Sequence, residues 1–296
     1  MTATLIDGRA IAAKMQVDTR AEAETLSAAG WSPRLVSISV GDVAAAELYV
    51  RNQQRHAEAA GVAFEARNYP AEISLEQLTG VLVGLNADPR VNGIIIQRPL
   101  PAHTPVKALQ KAIHPLKDVE GMHPASIGNI VYNDLTLGPC TAVAAVEILK
   151  TLPLKIEGLD VCVIGHSEIV GKPIAFLLMG LGATVTVCHH MTRQVAIHSR
   201  AADAVFVAVG KPGLVRGDML KRGAALIDIG INRVDGPNGP RTVGDAEFES
   251  CAEMAGWITP VPGGVGPVTV AILMKNAVLA TKMQMDHYRA AFAAAS

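Results

Sequence analysis

Charge imbalance, paired cysteines and long apolar runs are all missing from this chain of 296 residues. Its formal net charge is -1, from 26 Lys and Arg against 27 Asp and Glu. That balance gives no electrostatic reason to expect a nucleic acid or an anionic membrane surface as partner. Small molecules are the expected partners. The four cysteines, Cys140, Cys162, Cys188 and Cys251, stand far apart and form no C-x-x-C pair. Neither a zinc site nor a disulfide framework follows, no metal is expected, and a reduced setting fits best. The first residues, MTATLIDGRAIAAKM, lack the uncharged apolar core of a signal peptide, and no apolar run approaches membrane-spanning length, so a soluble, cytoplasmic protein is expected. Internal repeats and low-complexity tracts are absent too.

What is present centres on Val161 to Pro173, VCVIGHSEIVGKP. Val161, Cys162, Val163 and Ile164 read as a buried parallel strand that Gly165 ends, and Gly171-Lys172-Pro173 opens an apolar helix. Unpaired N–H groups at a helix start, aligned with the positive end of its dipole, make such a turn a cradle for phosphate. A second strand, Ala183 to Cys188, follows at the distance expected of a Rossmann βαβ unit. The turn reads G-x-S-x-x-x-G in place of G-x-G-x-x-G, so the pattern also fits a plain strand-turn-helix.

Around this unit the chain reads as alternating strands and helices. A helix over 10–29 stops at Gly30, Leu35–Val40 is a strand, a helix over 44–60 ends at Gly61, and Ser74 with Gln77 forms a capping-box pattern. Gly93–Ile96 is a buried strand. Pro99, Pro101 and Pro105 force a loop, and Lys117–Gly121 reads as a polar turn. A helix over Thr141–Lys150 precedes the strand at 161, later strands span Ala204–Val209 and Ala224–Ile229, and residues 268–292 form a long C-terminal helix. The length suits two domains, each with its own core.

These segments together resemble the bifunctional methylenetetrahydrofolate dehydrogenase/cyclohydrolase (FolD-like) family. The resemblance runs through Ile6-Asp7-Gly8, Val40-Gly41-Asp42, Tyr49-Val50, Ile96 to Pro101, Lys117 to Gly121, Val163 to Pro173 and Asp228 to Asn232. Its most specific block is Thr259 to Pro267, TPVPGGVGP, followed by Val268-Thr269-Val270. It implies a two-lobed α/β fold. An N-terminal catalytic domain (1–138) would be joined by a C-terminal helix (270–296) that returns to it, with a Rossmann-like dinucleotide-binding domain (139–269) between them. A cleft between the lobes, a homodimer, and oxidation of 5,10-methylenetetrahydrofolate by NADP or NAD are implied as well. Hydrolysis of the methenyl product to 10-formyltetrahydrofolate often follows in that family.

The resemblance also assigns roles. Tyr49 would position and stack on the folate, Gln53 and Gln97 would hydrogen-bond near the reacting carbon, and Glu120 would hold the pterin's amino edge, with Pro99, Leu100, Pro262, Gly263 and Gly264 lining the substrate. Gly165, His166, Ser167, Ile169, Val170, Gly171 and Pro173 would form the dinucleotide turn. Gly210, Ile231, Thr269 and the Pro262-Gly263-Gly264 loop would close over the cofactor. Two positions depart from the family pattern. Its S-x-x-Y-x-x-x-K helix reads Ala46, Tyr49, Gln53 here, so an amide replaces the amine that could exchange a proton, and Glu120 stands where the family has aspartate. Gln97 matches the residue that pairs with the missing lysine. Arg51 and Arg55 stay protonated, and His56 reads as a solvated helix histidine.

For the cofactor, no acid follows the second Rossmann strand to bind a ribose 2′-hydroxyl. His189-His190-Met191-Thr192-Arg193 stands there instead, and His166, His190 and Arg193 would meet the 2′-phosphate of NADP. The expected activity is therefore a folate-dependent, NADP-preferring dehydrogenase with weak or lost cyclohydrolase. A fully bifunctional enzyme, a relative acting on another C1-carrying pterin and a non-catalytic cofactor-binding protein remain as alternatives.

Overall fold

The computed structural model describes residues 2–41, 44–236 and 239–295, so Asp42 of the sequence pattern lies outside the described residues. The chain divides into two compact units, one of residues 13–129, 135–138 and 270–296, the other of 1–12, 130–134 and 139–269.

The first unit is built on a three-stranded parallel sheet. Its middle strand β2 (Arg34–Val40) lies between β3 (Ala63–Tyr69) and β4 (Gly93–Ile96). Parallel strands leave no room for hairpins, so helices carry the crossovers: α2 (Ala44–Ala59) joins β2 to β3, and α3 (Leu75–Ala87) joins β3 to β4. Gly61, at φ +72°, supplies the left-handed turn that ends α2. The capping box at the start of α3 forms as its spacing predicts: Gln77 N–H donates to Ser74 Oγ at 3.1 Å, and Ser74 N–H to Gln77 Oε1 at 3.0 Å. Val36, Ile38 and Val40 of β2 pack with Leu78, Leu82 and Leu85 of α3 and with Ile94 and Ile96 of β4. α1 (Gly8–Ala28), α4 (Val106–Ala112), a 3-10 turn (Pro115–Lys117) and α5 (Pro124–Val131) also precede residue 138.

The second unit carries a six-stranded sheet. β1 (Thr4–Leu5), β5 (Asp160–Ile164), β6 (Thr184–Cys188), β7 (Ala204–Val207), β8 (Ala225–Asp228) and β11 (Trp257–Ile258) lie in the order β1-β11-β8-β7-β5-β6, every pair parallel. α6 (Cys140–Lys150), α7 (Gly171–Gly180), α8 (Val195–Ser199) and α9 (Phe248–Met254) belong to the same unit, as does a hairpin of β9 (Asn232–Val234) and β10 (Arg241–Val243). From β5 the chain goes first to β6 on one side and then to β7 on the other. That reversal opens a crevice beyond the carboxyl ends of β5 and β7, where doubly wound sheets bind ligands.

Three expectations need correction. Residues 1–12 do not join the N-terminal lobe, because β1 pairs in parallel with β11 and extends the six-stranded sheet; residues 130–134 also belong to that unit. Lys117–Gly121 is not a plain polar turn. Lys117, Asp118 and Val119 are buried: the Lys117 ammonium donates to Leu85 O at 2.9 Å and Asp88 O at 2.7 Å, closing the carboxyl end of α3. The C-terminal helix α10 (Val265–Ala295) begins at Val265, ahead of the expected start at Val268. Within the first unit its Asn276 donates to Val119 O and Gly138 O, and its Gln284 to Asn92 O and Leu116 O. All four cysteines are buried, and none of them forms a disulfide. Among the described residues no helix is long and apolar enough to cross a membrane, and no group of three or more His, Cys, Asp or Glu could hold a metal ion.

Candidate active site

In the six-stranded unit β5 runs into a turn that two glycines make possible. Gly165 adopts φ +122°, and a Cβ there would lie 2.3 Å from Ala208 O; a Cβ on Gly171 would lie 2.0 Å from Gly165 O. The turn therefore lies backbone against backbone, and Gly171 and Pro173 are buried. Contrary to the expectation of a fully unpaired helix start, some N–H groups at the beginning of α7 are already engaged. Ser167 Oγ accepts from Val170 N at 3.2 Å and Gly171 N at 3.5 Å, and Ser167 O accepts from Lys172 N at 3.0 Å. Ser167 thus shapes the turn from within, while His166, Ser167 and Ile169 are exposed at its outer edge and Val170 is half-buried.

Beside this turn three imidazoles gather. The His166 ring lies 4.8 Å from that of His189 and 5.8 Å from that of His190, centroid to centroid, and the last two are 6.0 Å apart. Parallel pairing of β5 with β6 puts the residues after both strands side by side, which explains the cluster. His189 is fixed by its own turn, where its N–H donates to Thr192 Oγ1 at 2.9 Å and its Nδ1 accepts from Met191 N at 3.1 Å. Arg193 directly follows that turn and is exposed, as is His190.

The loop after β7 is held by buried acids. Asp245 accepts from the N–H groups of Val209 (2.7 Å), Gly210 (3.0 Å) and Lys211 (2.8 Å) and from Asn232 Nδ2 (2.8 Å). Asp228, also buried, accepts from Gly230 N, Asp245 N and Ala246 N, and burial pushes its carboxyl up to about 6. Gly210 and Ile231 are exposed on this edge. In the same unit Gly264 O would lie 1.8 Å from a Cβ on Gly8, and Gly264 N donates to Pro260 O; Pro262 follows a cis peptide bond and is exposed, while Gly263 is half-buried. Thr269 spends its hydroxyl within α10, donating to Val265 O at 3.2 Å.

The three-stranded unit brings the other candidates together. Gln97, buried just past β4, donates through Nε2 to Gln53 Oε1 of α2 at 2.5 Å and to Ser37 Oγ of β2 at 2.9 Å. Glu120 accepts from Ile96 N at 3.4 Å, next to Gln97, and is half-buried. Burial pushes its carboxyl up to about 7 against the opposing pull of Arg98. Asp118 of the same turn is engaged elsewhere, accepting from His123 N and Ser126 Oγ. Pro99 follows a cis peptide bond and is exposed; Leu100 packs partly on the core. Tyr49 lies on α2 one turn before Gln53, and its side chain, like that of Ala46, lies outside the described residues. His56 is half-buried, not solvated, and burial followed by the Arg55 charge lowers its pKa.

Two family models match this chain: the tetrahydrofolate dehydrogenase/cyclohydrolase catalytic domain over residues 6–120, and the NAD(P)-binding domain of the same family over 139–285. The chain belongs to the tetrahydrofolate dehydrogenase/cyclohydrolase family. It is 59% identical over 291 residues to Bifunctional protein FolD 2 of Mesorhizobium japonicum, covering 98% of this chain and 95% of that one. Among solved structures it is similar to the bifunctional FolD enzyme of Campylobacter jejuni, at TM-score 0.91 and 37% identity, over 95% of this chain and 99% of that one. The Trypanosoma brucei FolD, solved with NADP and an inhibitor, gives TM-score 0.90 and 38% identity over 96% and 99%.

Two residues of these clusters, Ser37 and Asp245, do not stand out in the sequence, and Asp228 is marked there only as the start of a matching block. A serine inside the apolar run Leu35–Val40 is the available signal for the first; Asp245 acts through backbone groups distant in sequence that no local pattern reveals. Gly171→Ala tests the turn. Its Cβ would meet Gly165 O at 2.0 Å, so the turn must open. NADP and NAD binding by calorimetry should both weaken, with roughly a 10²-fold loss of dehydrogenase kcat/KM; unchanged binding of both would show that the turn does not hold the cofactor.

Proposed function

We propose that this protein oxidises 5,10-methylenetetrahydrofolate to the methenyl form with NADP, and hydrolyses that product slowly or not at all. The observation that carries the reading is the amide pair Gln53–Gln97, joined at 2.5 Å. A carboxamide donates and accepts hydrogen bonds but does not carry a proton at ordinary pH. Loss of hydride is driven by the neighbouring folate nitrogen lone pair, so the protein's main task there is alignment; hydrolysis requires water to be activated and a proton to be moved. An amide at position 53 serves the first task and fails the second.

Glu120 would hold the pterin's amino edge through its carboxylate, Tyr49 would stack on the folate, and Gln53 and Gln97 would hydrogen-bond near the reacting carbon. The glycine turn, where a Cβ would meet backbone, fits a dinucleotide lying close against it. NADP supplies the hydride acceptor when bound. Exposed His166, Ser167 and Ile169 would face it, and His166, His190 and Arg193 would meet its 2′-phosphate. A fully bifunctional enzyme is the second reading, favoured by the names of the relatives and by Glu120, a carboxyl near neutral pKa on the same strand end as Gln97.

Gln53→Lys separates the two readings. It should raise hydrolysis of methenyltetrahydrofolate by about 10²–10⁴-fold, either alone or combined with Glu120→Asp should the longer carboxylate displace the pterin. No gain from either variant, with both folded and binding folate, would favour another C1-carrying pterin; wild-type hydrolysis that keeps pace with dehydrogenation would favour the bifunctional reading. Replacing His190 and Arg193 together with alanine should weaken NADP binding and leave NAD binding nearly unchanged, since only NADP carries the contacted phosphate. Equal losses would assign both residues to the fold.

The pH dependence follows from Glu120. With its pKa pushed up to about 7, the carboxylate that accepts from the pterin predominates only above that value. Folate KM should therefore fall as pH rises through about 7, and Glu120→Gln should flatten the profile. A KM constant across that range in the wild type would remove Glu120 from pterin binding.

A further inference from the structure

The polar contact at Gln97 extends one residue deeper than the family pattern. Ser37 sits in the middle of β2, flanked by β3 and β4, and is fully buried. Strand alternation turns Val36 and Ile38 toward the core with α3 and leaves Ser37 on the opposite face. There its Oγ accepts from Gln97 Nε2, the same nitrogen that donates to Gln53 Oε1. Both hydrogens of the Gln97 amide are thereby used, and Gln53, accepting through its oxygen, is left to present its NH2 group.

A hydroxyl can donate as well as accept. If Gln97 turned over, its Oε1 could accept from Ser37 O–H and from a cationic donor at position 53. An alkyl group at 37 could support neither arrangement.

We propose that Ser37 is a positioning residue: through Gln97 it sets which group residue 53 presents to the substrate. The proposal rests on the reading of Gln53 and Gln97 given above. It deepens that reading by naming a buried residue that controls it through Gln97.

The experiment compares wild type, Ser37→Ala, Ser37→Thr, Gln53→Lys and the Ser37→Ala/Gln53→Lys double variant, each checked for folding by circular dichroism and thermal melting. Ser37→Ala should lower dehydrogenase kcat by about tenfold with NADP KM unchanged, an effect of the size expected from one lost buried hydrogen bond. Ser37→Thr, which keeps the hydroxyl on a β-branched side chain, should recover most of kcat. In the Gln53→Lys background, Ser37→Ala should remove most of the gain in hydrolysis, so that the two substitutions are not additive. A lowered melting temperature with unchanged kcat in Ser37→Ala would overturn the proposal and leave Ser37 a packing residue. So would a kcat loss that threonine fails to recover. Should Ser37→Ala not fold, Ser37→Cys, slightly larger and a weaker hydrogen-bonding group, leaves no cavity while weakening the bond and gives the same readings. Failure of Gln53→Lys to raise hydrolysis in any background would count against the functional reading, whereas the dehydrogenase comparison judges Ser37 separately.

Discussion

The buried carboxylates Asp228 and Asp245 organise the loops beyond the carboxyl ends of β7 and β8, two inner strands of the six-stranded sheet on which the dinucleotide half of the molecule depends. Between them they take the N–H groups of Val209, Gly210, Lys211, Gly230 and Ala246, together with Asn232 Nδ2 and Asp245's own N–H. A charge taken out of water is costly unless it is hydrogen-bonded, and here backbone donors from several loops supply the bonds. Glycine is required around the pair: a Cβ on Gly244 would lie 2.0 Å from Asp228 Oδ2, and one on Gly230 would lie 2.3 Å from Asp245 Cγ. The loops after β7 and β8 and the segment before α9 are thus fixed by one cluster.

Much of this fold can be read from the sequence because its strongest signals are local. β4, β5, β7 and β8 are short, largely apolar runs, β2 is one interrupted by serines, β6 alternates threonine with valine, and Ser74 with Gln77 marks the start of α3 by spacing alone. β3 is hidden for a physical reason. It is an edge strand whose Glu65 pairs with Arg67 and with Arg34 of β2, so its pattern is half polar. β1 and β11 are two residues each, and their pairing joins Thr4 to Trp257 and Leu5 to Ile258, a separation that no window of sequence can show. Lys117 and Asp118 read as solvated because their partners lie outside their own turn: Leu85 O and Asp88 O for one, His123 N and Ser126 Oγ for the other.

The candidate site divides in the same way. Gln53, Gln97, Glu120 and the glycine turn are legible as candidates because the resemblance marks their positions and implies a lysine where Gln53 stands. What the pattern does not give is connectivity. Ser167 spends its hydroxyl on its own turn, His189 completes a cluster that the strand register creates, and Ser37 reaches Gln97 from a neighbouring strand.

Connectivity matters most at the Gln53 amide, where the resemblance implies an amine. An ammonium at position 53 would bring a charge that could be satisfied by a carbonyl, and it could give up a proton. The amide present brings no charge, and its oxygen is already held by Gln97. The titratable group at that strand end is Glu120, whose carboxyl burial moves toward neutrality. A carboxyl poised there can exchange protons, but on the proposed reading, in which it binds the pterin, doing so would interrupt that hold, because the protonated form accepts less well at the amino edge. One group cannot serve both tasks at the same moment. On the proposed reading, in which Glu120 binds the pterin and position 53 stays neutral, the arrangement favours the step that needs alignment over the step that needs a proton carrier.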